Sequence, residues 1–245
     1  MKKQIQILSL ILMAMLLFTG CAESPRAVTN EAAAPESAAP DNTAEEQESP
    51  EIASPEREKD GAATEKTDIS TGRIEGDCYV SNEMGLKFVL PDGWTFLSGE
   101  QIAEQLGWNA EYAASSFAEI TEAGYPYIDM WAQNSDGSTI VQLMYEKTEV
   151  NFGRSLTAKE YIAHCAKTIP ESYQAMNAAV SDNREYTKEL QGVDMEVFSF
   201  TSTIGNNVLY QTMLAAEKGE YIFSIYITCF SEDLTEDIFS MFSPA

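Results

Sequence analysis

The chain of 245 residues holds a single histidine, His164, and only 15 lysines and arginines against 39 acidic residues. One histidine removes most imidazole-based acid–base and metal schemes, which draw on several such rings. The formal net charge of −24 excludes nucleic acid as a partner, because phosphate binding needs clustered basic groups that release counterions. There is no Gly-rich phosphate loop, no G-x-S-x-G nucleophile elbow, no C-x-x-C pair and no internal repeat. Also missing is an apolar run of the roughly 20 residues that cross a bilayer. The residues that come nearest, 7–18, form a run of 12 interrupted by Ser9.

That short run has its own meaning. Lys2 and Lys3 precede it and the small residues Thr19 and Gly20 follow, which is the pattern of a secretory signal peptide over residues 1–20. The segment Leu17-Phe18-Thr19-Gly20-Cys21 resembles the lipobox of bacterial lipoproteins, with Phe18 where leucine is most frequent. The resemblance implies that Cys21 takes a diacylglycerol, so that the membrane is a partner through a lipid anchor. Two acyl chains at about 0.8 kcal/mol per buried CH2 suffice for stable attachment, placing the protein on the outer face of the cytoplasmic membrane.

Residues 21–75 change character. Pro25, Pro35, Pro40, Pro50 and Pro55 are spread among Ala, Glu, Ser and Thr, and only Val28, Ile52, Ile69 and Ile74 are large aliphatics. With no aromatic residue, burial there cannot offset the entropy of ordering the chain. The segment reads as a disordered acidic tether of about 40 Å root-mean-square reach, extended further by like-charge repulsion. All three tryptophans lie beyond it, and residues 76–245 are expected to be one globular domain.

Within the domain, turn chemistry separates strands. Residues 78–80 and 86–90 flank Asn82-Glu83-Met84-Gly85, and residues 127–133 and 139–147 flank Asn134-Ser135-Asp136-Gly137-Ser138. Three further strands are expected near 194–203, 207–217 and 220–230. Sequential hairpins mean an antiparallel sheet. In the last strand Tyr221, Phe223, Ile225, Ile227 and Cys229 line one face and Ile222, Ser224, Tyr226, Thr228 and Phe230 the other, so both faces need cover. Thr157-Ala158-Lys159-Glu160 is a capping box opening a helix with Ala158, Tyr161, Ile162, Cys165 and Ile169 inward, expected to stop at Pro170. A short helix is expected over 98–106 before Gly107, a blurred one over 109–122, and an amphipathic one over 232–242.

The run Gly85-Leu86-Lys87-Phe88-Val89-Leu90-Pro91-Asp92-Gly93-Trp94, the strand Ile128-Asp129-Met130-Trp131-Ala132, the helix start at Thr157 and the terminal strands with their helix resemble Firmicutes lipoproteins carrying a PsbP/Mog1-like domain. The likeness covers most of residues 78–242. It implies an α+β fold, an antiparallel sheet sandwiched between helices, used as a binding or accessory module. It brings no catalytic set.

The chemistry-bearing residues support little else. His164 lies about 110° from the inward stripe of its helix and is expected to face solvent, without a nucleophile or orienting carboxylate. With Cys21 acylated, Cys78, Cys165 and Cys229 remain. Cys78 and Cys229 are both strand residues and could pair across the sheet, while Cys165 reads as a buried small hydrophobe. Asn134, Asp136 and Gly137 match part of a calcium loop, but Ala132 and Leu143 stand where carboxylates are required. Trp131 alternates with Asp129 on the face opposite Ile128, Met130 and Ala132, and so lies under a helix or at a groove. Trp131, Trp108 and Asp129 are the candidate binding-surface residues. No metal or cofactor is implied. The leading expectation is a non-catalytic, lipid-anchored module that engages another envelope protein. The alternatives are a small-ligand-binding lipoprotein and an envelope hydrolase.

Overall fold

The computed structural model describes residues 69–245 except Asn109, with the side chains of 109–111 also undescribed. The signal peptide, Cys21 and most of the tether lie outside the described residues.

The strands are β1 (Arg73–Glu75), β2 (Cys78–Ser81), β3 (Leu86–Val89), β4 (Trp94–Phe96), β5 (Tyr127–Asn134), β6 (Thr139–Glu146), β7 (Ala179–Leu190), β8 (Val193–Ile204), β9 (Asn207–Lys218), β10 (Tyr221–Phe230) and β11 (Phe242–Pro244). The helices are α1 (Gly99–Leu106), α2 (Ala110–Ala114), α3 (Phe117–Glu122), α4 (Thr148–Phe152), α5 (Ala158–Ala175) and α6 (Thr235–Phe239). A seven-stranded sheet runs β4-β5-β6-β10-β9-β8-β7 and a four-stranded one runs β1-β2-β3-β11, both wholly antiparallel.

The fold class is α+β, with the large sheet covered on both faces. On one face Ile140, Met144, Phe198, Phe200, Met213 and Ile222 pack under Tyr161, Ile162, Cys165, Ile169 and Tyr173 of α5 and Ile102 and Leu106 of α1. On the other, Val141, Leu143, Met195, Leu214, Phe223 and Ile225 meet Tyr79, Leu86, Phe88 and Phe242 of the small sheet and Ile238 and Phe239 of α6. The second cover is therefore mostly sheet, where helices were expected. The apolar stretch after β10 is cut short: α6 is a single turn, and Phe242 pairs with Phe88 as part of β11, their rings 4.9 Å apart.

Local signals explain several boundaries. Thr157 and Ser98 both form capping boxes, their hydroxyls accepting from the Glu160 and Gln101 amides while the Glu160 and Gln101 side chains reach back to the cap amides. Ser116 forms a third, which divides the blurred helical stretch into α2 and α3. Gly107, in the left-handed region at φ 67, ends α1. Pro170 does not stop α5, which continues to Ala175 because Ile169, Pro170 and Tyr173 are all buried on the sheet. Asn134 and Asp136 accept from the amides of Thr139 and Ser138, so the calcium-like residues build a hairpin turn.

Two irregularities matter most. Ile128 pairs with Met144 and Met130 with Leu143, leaving Asp129 as the extra residue of a β-bulge. The bulge breaks the expected alternation. Ile128 and Trp131 both join the helix-side core, and Trp131 is 1% exposed. Trp131 is thus a core residue and not part of a binding surface. The other is β7, a 12-residue edge strand with almost every side chain exposed and a bulge between Ser181 and Arg184.

Truncating Trp131 to alanine is expected to cost about 3–5 kcal/mol by cavity creation, read as a lowered urea midpoint. A loss below about 1 kcal/mol would return it to the surface.

Candidate functional site

Asp129 is half-buried, and its carboxylate is taken up by contacts within the fold. Its two carboxylate oxygens accept the Gly72 amide at 2.9 and 3.1 Å, and one also accepts the Tyr79 hydroxyl at 2.5 Å. Burial pushes this carboxyl above its usual range, against the opposing pull of Tyr79 and Gly72. A Cβ at Gly72 would fall 2.3–2.4 Å from the Tyr79 ring, so only glycine fits beside it. Asp129 is therefore a latch that fastens the residues leading into β1.

The sulfur atoms are likewise structural. Cys78 and Cys229 are free thiols on different sheets, Cys78 pairing with Val89 across the small sheet and Cys229 buried in β10. The cross-sheet disulfide is not made. Cys165 is buried as expected, with its thiol pushed up by burial. His164 is half-buried, its ring 4.9 Å from that of Phe152, and burial followed by Lys167 lowers its pKa. It flanks the core as expected, partly exposed and leaning on α4. Among the described residues no three of His, Cys, Asp and Glu gather as a metal site, and no helix is long and apolar enough to cross a membrane.

Trp108 fares differently. Its ring lies 4.1 Å from Tyr112 and 5.9 Å from Tyr125, which is 46% exposed. The Tyr112 hydroxyl donates to the Pro126 carbonyl at 3.1 Å and accepts the Ile128 amide at 3.2 Å, which pins α2 to the start of β5. Gly124, beside Tyr125, has φ +80, and a Cβ there would lie 3.2 Å from Val150 Cγ1. Val150 is 42% exposed. Trp108 and the exposed Tyr125 thus meet edge to face, and the exposed Val150 of α4 lies beside Gly124, so the segments carrying these three apolar residues adjoin at the surface. Sequence reasoning found Trp108; it missed Tyr125 and Val150, whose neighbours in the chain gave no periodic signal.

Beneath this surface lies a second buried carboxyl. Glu146, at the end of β6, is 2% exposed and accepts from the Tyr161 hydroxyl and from Asn151 Nδ2, each at 2.8 Å. Tyr161 is in turn 3.3 Å from the Tyr226 hydroxyl. Burial pushes the Glu146 carboxyl up to about 7, with Tyr161 and Asn151 opposing. Lys147 turns away, to Glu122 at 2.7 Å and Glu220 at 3.2 Å.

A separate trough of about 600 Å3 lies between β7–β9 and α6. Its walls include Asp182, Arg184, Tyr186, Tyr210, Thr212 and Asp233, and it is open and polar.

Both buried carboxyls have raised folded pKa values, so the folded state holds its protons to higher pH than the unfolded chain. Stability is expected to be greatest in the acid part of the window and to fall as pH rises from about 4.5 through about 7. Urea midpoints at pH 5.5 and 8 check this, and Glu146→Gln should flatten the difference. A wild-type midpoint that rises with pH would contradict it. Separately, Asp129→Ala is expected to cost about 1–3 kcal/mol by leaving the Tyr79 hydroxyl and the Gly72 amide without acceptors.

No protein-family profile and no curated protein matches the chain. Solved structures similar to it include cyanobacterial PsbP and LpqN. The solution structure of cyanobacterial PsbP (CyanoP) from Synechocystis sp. PCC 6803 is 12% identical with a TM-score of 0.42, over 76% of this chain and 100% of that one. The crystal structure of LpqN, involved in cell envelope biogenesis of Mycobacterium tuberculosis, is 11% identical with a TM-score of 0.31, over 64% of this chain and 76% of that one.

Proposed function

We propose that the chain is a non-catalytic binding module of the cell envelope, held to the outer face of the membrane by a lipid on Cys21, that docks another envelope protein through Trp108, Tyr125 and Val150. One observation carries the docking reading: two large apolar side chains, Tyr125 and Val150, stand 46% and 42% exposed on segments that meet at Gly124, in an otherwise strongly acidic domain. Aromatic residues with few rotamers, backed by packed neighbours, are the usual anchors of protein interfaces. Trp108 and Tyr112 supply that backing beneath Tyr125. The lipid reading rests on Leu17-Phe18-Thr19-Gly20-Cys21 after a short apolar run.

A photo-crosslinking residue at position 125 in intact cells is expected to give one discrete protein adduct that Val150→Ser removes. Crosslinking at position 185, on exposed β7, serves as the comparison. The same smear of neighbours from both positions would end the docking reading. Cys21→Ser is expected to move the protein from the membrane pellet to the soluble fraction and to abolish labelling by radioactive palmitate. An unchanged distribution would remove the anchor.

The trough beside β7 favours a second reading, a small-ligand-binding lipoprotein. A thermal-shift screen against sugars, amino acids and polyamines tests it, since a ligand bound only by the folded state raises Tm. A flat profile sinks it.

A further inference from the structure

The docking surface is held together by one amide. Asn151 Nδ2 donates to the Gly124 carbonyl at 3.1 Å and to Glu146 Oε1 at 2.8 Å. Gly124 leads directly into Tyr125, and Asn151 follows Val150 in the five-residue helix α4. The fit is close, since a Cβ at Gly124 would lie 2.7 Å from Asn151 Oδ1. The two exposed halves of the surface are thus tied through Asn151 to a carboxyl in the core.

Among the described residues no cation pairs with Glu146. The titratable groups facing it are Tyr161 and Cys165 from α5 and Tyr226 from β10, all pushed upward by burial, while α4 presents the uncharged Asn151. Lys147 is occupied by Glu122 and Glu220. In the Tyr161–Tyr226 pair either hydroxyl can be the donor. An ionised Glu146 accepts from Tyr161, which accepts from Tyr226. A neutral Glu146 donates to Tyr161, which donates to Tyr226. Turning the Tyr161 hydroxyl therefore keeps the Glu146–Tyr161 bond in both protonation states without moving a heavy atom. The bond from Asn151 is what changes: it is charge-assisted to the carboxylate and ordinary to the neutral acid.

Resting on the docking reading above, we propose that Asn151 and Glu146 are positioning residues for this surface. The ionised Glu146 holds Asn151, and through it Gly124 and Val150, in the docking arrangement, and protonation loosens that hold. Burial sets the change near pH 7. The sign is distinctive. Acidification strengthens the fold as a whole, because the buried acid is then neutral, yet it weakens the local clamp. A merely structural role for Glu146 would move both in the same direction.

Hydrogen exchange of the full-length protein at pH 6 and 8, corrected for intrinsic rates, separates the two. Peptides covering 148–153 and 123–127 are expected to exchange about five-fold faster at pH 6, the ratio between a charge-assisted and a neutral hydrogen bond. The urea midpoint, in contrast, should be higher at pH 6 than at pH 8. Glu146→Gln is expected to show the faster exchange at both pH values. Asn151→Ala, at a half-buried position, should do the same and decides the matter if the glutamine variant does not fold. Equal protection at both pH values in the wild type, or a pH profile retained in either variant, would overturn the proposal. Exchange reads the clamp without any partner, whereas crosslinking from position 125 reads docking. A flat exchange profile with an intact adduct sinks the clamp alone, and the reverse pattern sinks docking alone.

Discussion

β10 is buried along nearly its whole length on both faces, and that requirement organises the rest of the molecule. It sits between β6 and β9 at the centre of the large sheet, with Phe223, Ile225, Ile227 and Cys229 on one side and Ile222 and Tyr226 on the other. A strand of this kind cannot face water on either side, so two separate covering layers must exist. One is α5, whose seven buried side chains include Tyr161, Ile169 and Tyr173. The other is assembled from both ends of the folded chain, since β2 and β3 come from its start and α6 and β11 from its end. Closing the second core therefore requires pairing between segments some 150 residues apart, such as Phe242 with Phe88, and a contact order of this kind favours slow folding.

Elements with local chemistry were legible in the sequence. The capping boxes at Thr157 and Ser98 stand as read, as do the hairpin turns at 82–85 and 134–138. What escaped had its cause elsewhere in the molecule. β7 carries Ser181, Asp182, Asn183, Arg184 and Glu185, a composition that looks like loop because an exposed edge strand has no face to bury. Pro170 looks like a helix stop, but the packing of Ile169 and Tyr173 outweighs one lost hydrogen bond. The bulge at Asp129 has no local signature, and it moves Ile128 across the sheet to join Trp131, which lies under the helices, one of the two places its alternation allowed. Of the candidate site, Trp108 could be named, while Tyr125 and Val150 are brought to it only by the tertiary path of the chain.

The scarcity of basic residues returns inside the protein. Residues 77–245 hold 25 acidic and 8 basic side chains, so buried carboxyls cannot generally find cations. Tyrosine takes that place. Tyr79 donates to Asp129 and Tyr161 to Glu146. A hydroxyl partner satisfies a carboxyl without neutralising it, so desolvation dominates and both acids are raised. An arginine in either position would lower the pKa instead, and would fix the charge state throughout the physiological range. The composition that excludes nucleic acid is thus the same one that leaves two core carboxyls titratable.

That composition also separates long-range from short-range behaviour at the surface. The acidic domain is repelled by anionic lipid and by other acidic polymers over about a Debye length, ~8 Å at physiological salt. Within it, only an apolar contact gains enough on close approach to outweigh the charge, and the described surface offers one where Tyr125 and Val150 adjoin. On the docking reading proposed above, a partner would cover those two side chains and tolerate, or oppose with positive charge, Glu122 and Glu149, which are exposed at the ends of α3 and α4. Shape at the aromatic end and charge around it select for the same kind of partner, a protein face with an apolar centre and a basic rim.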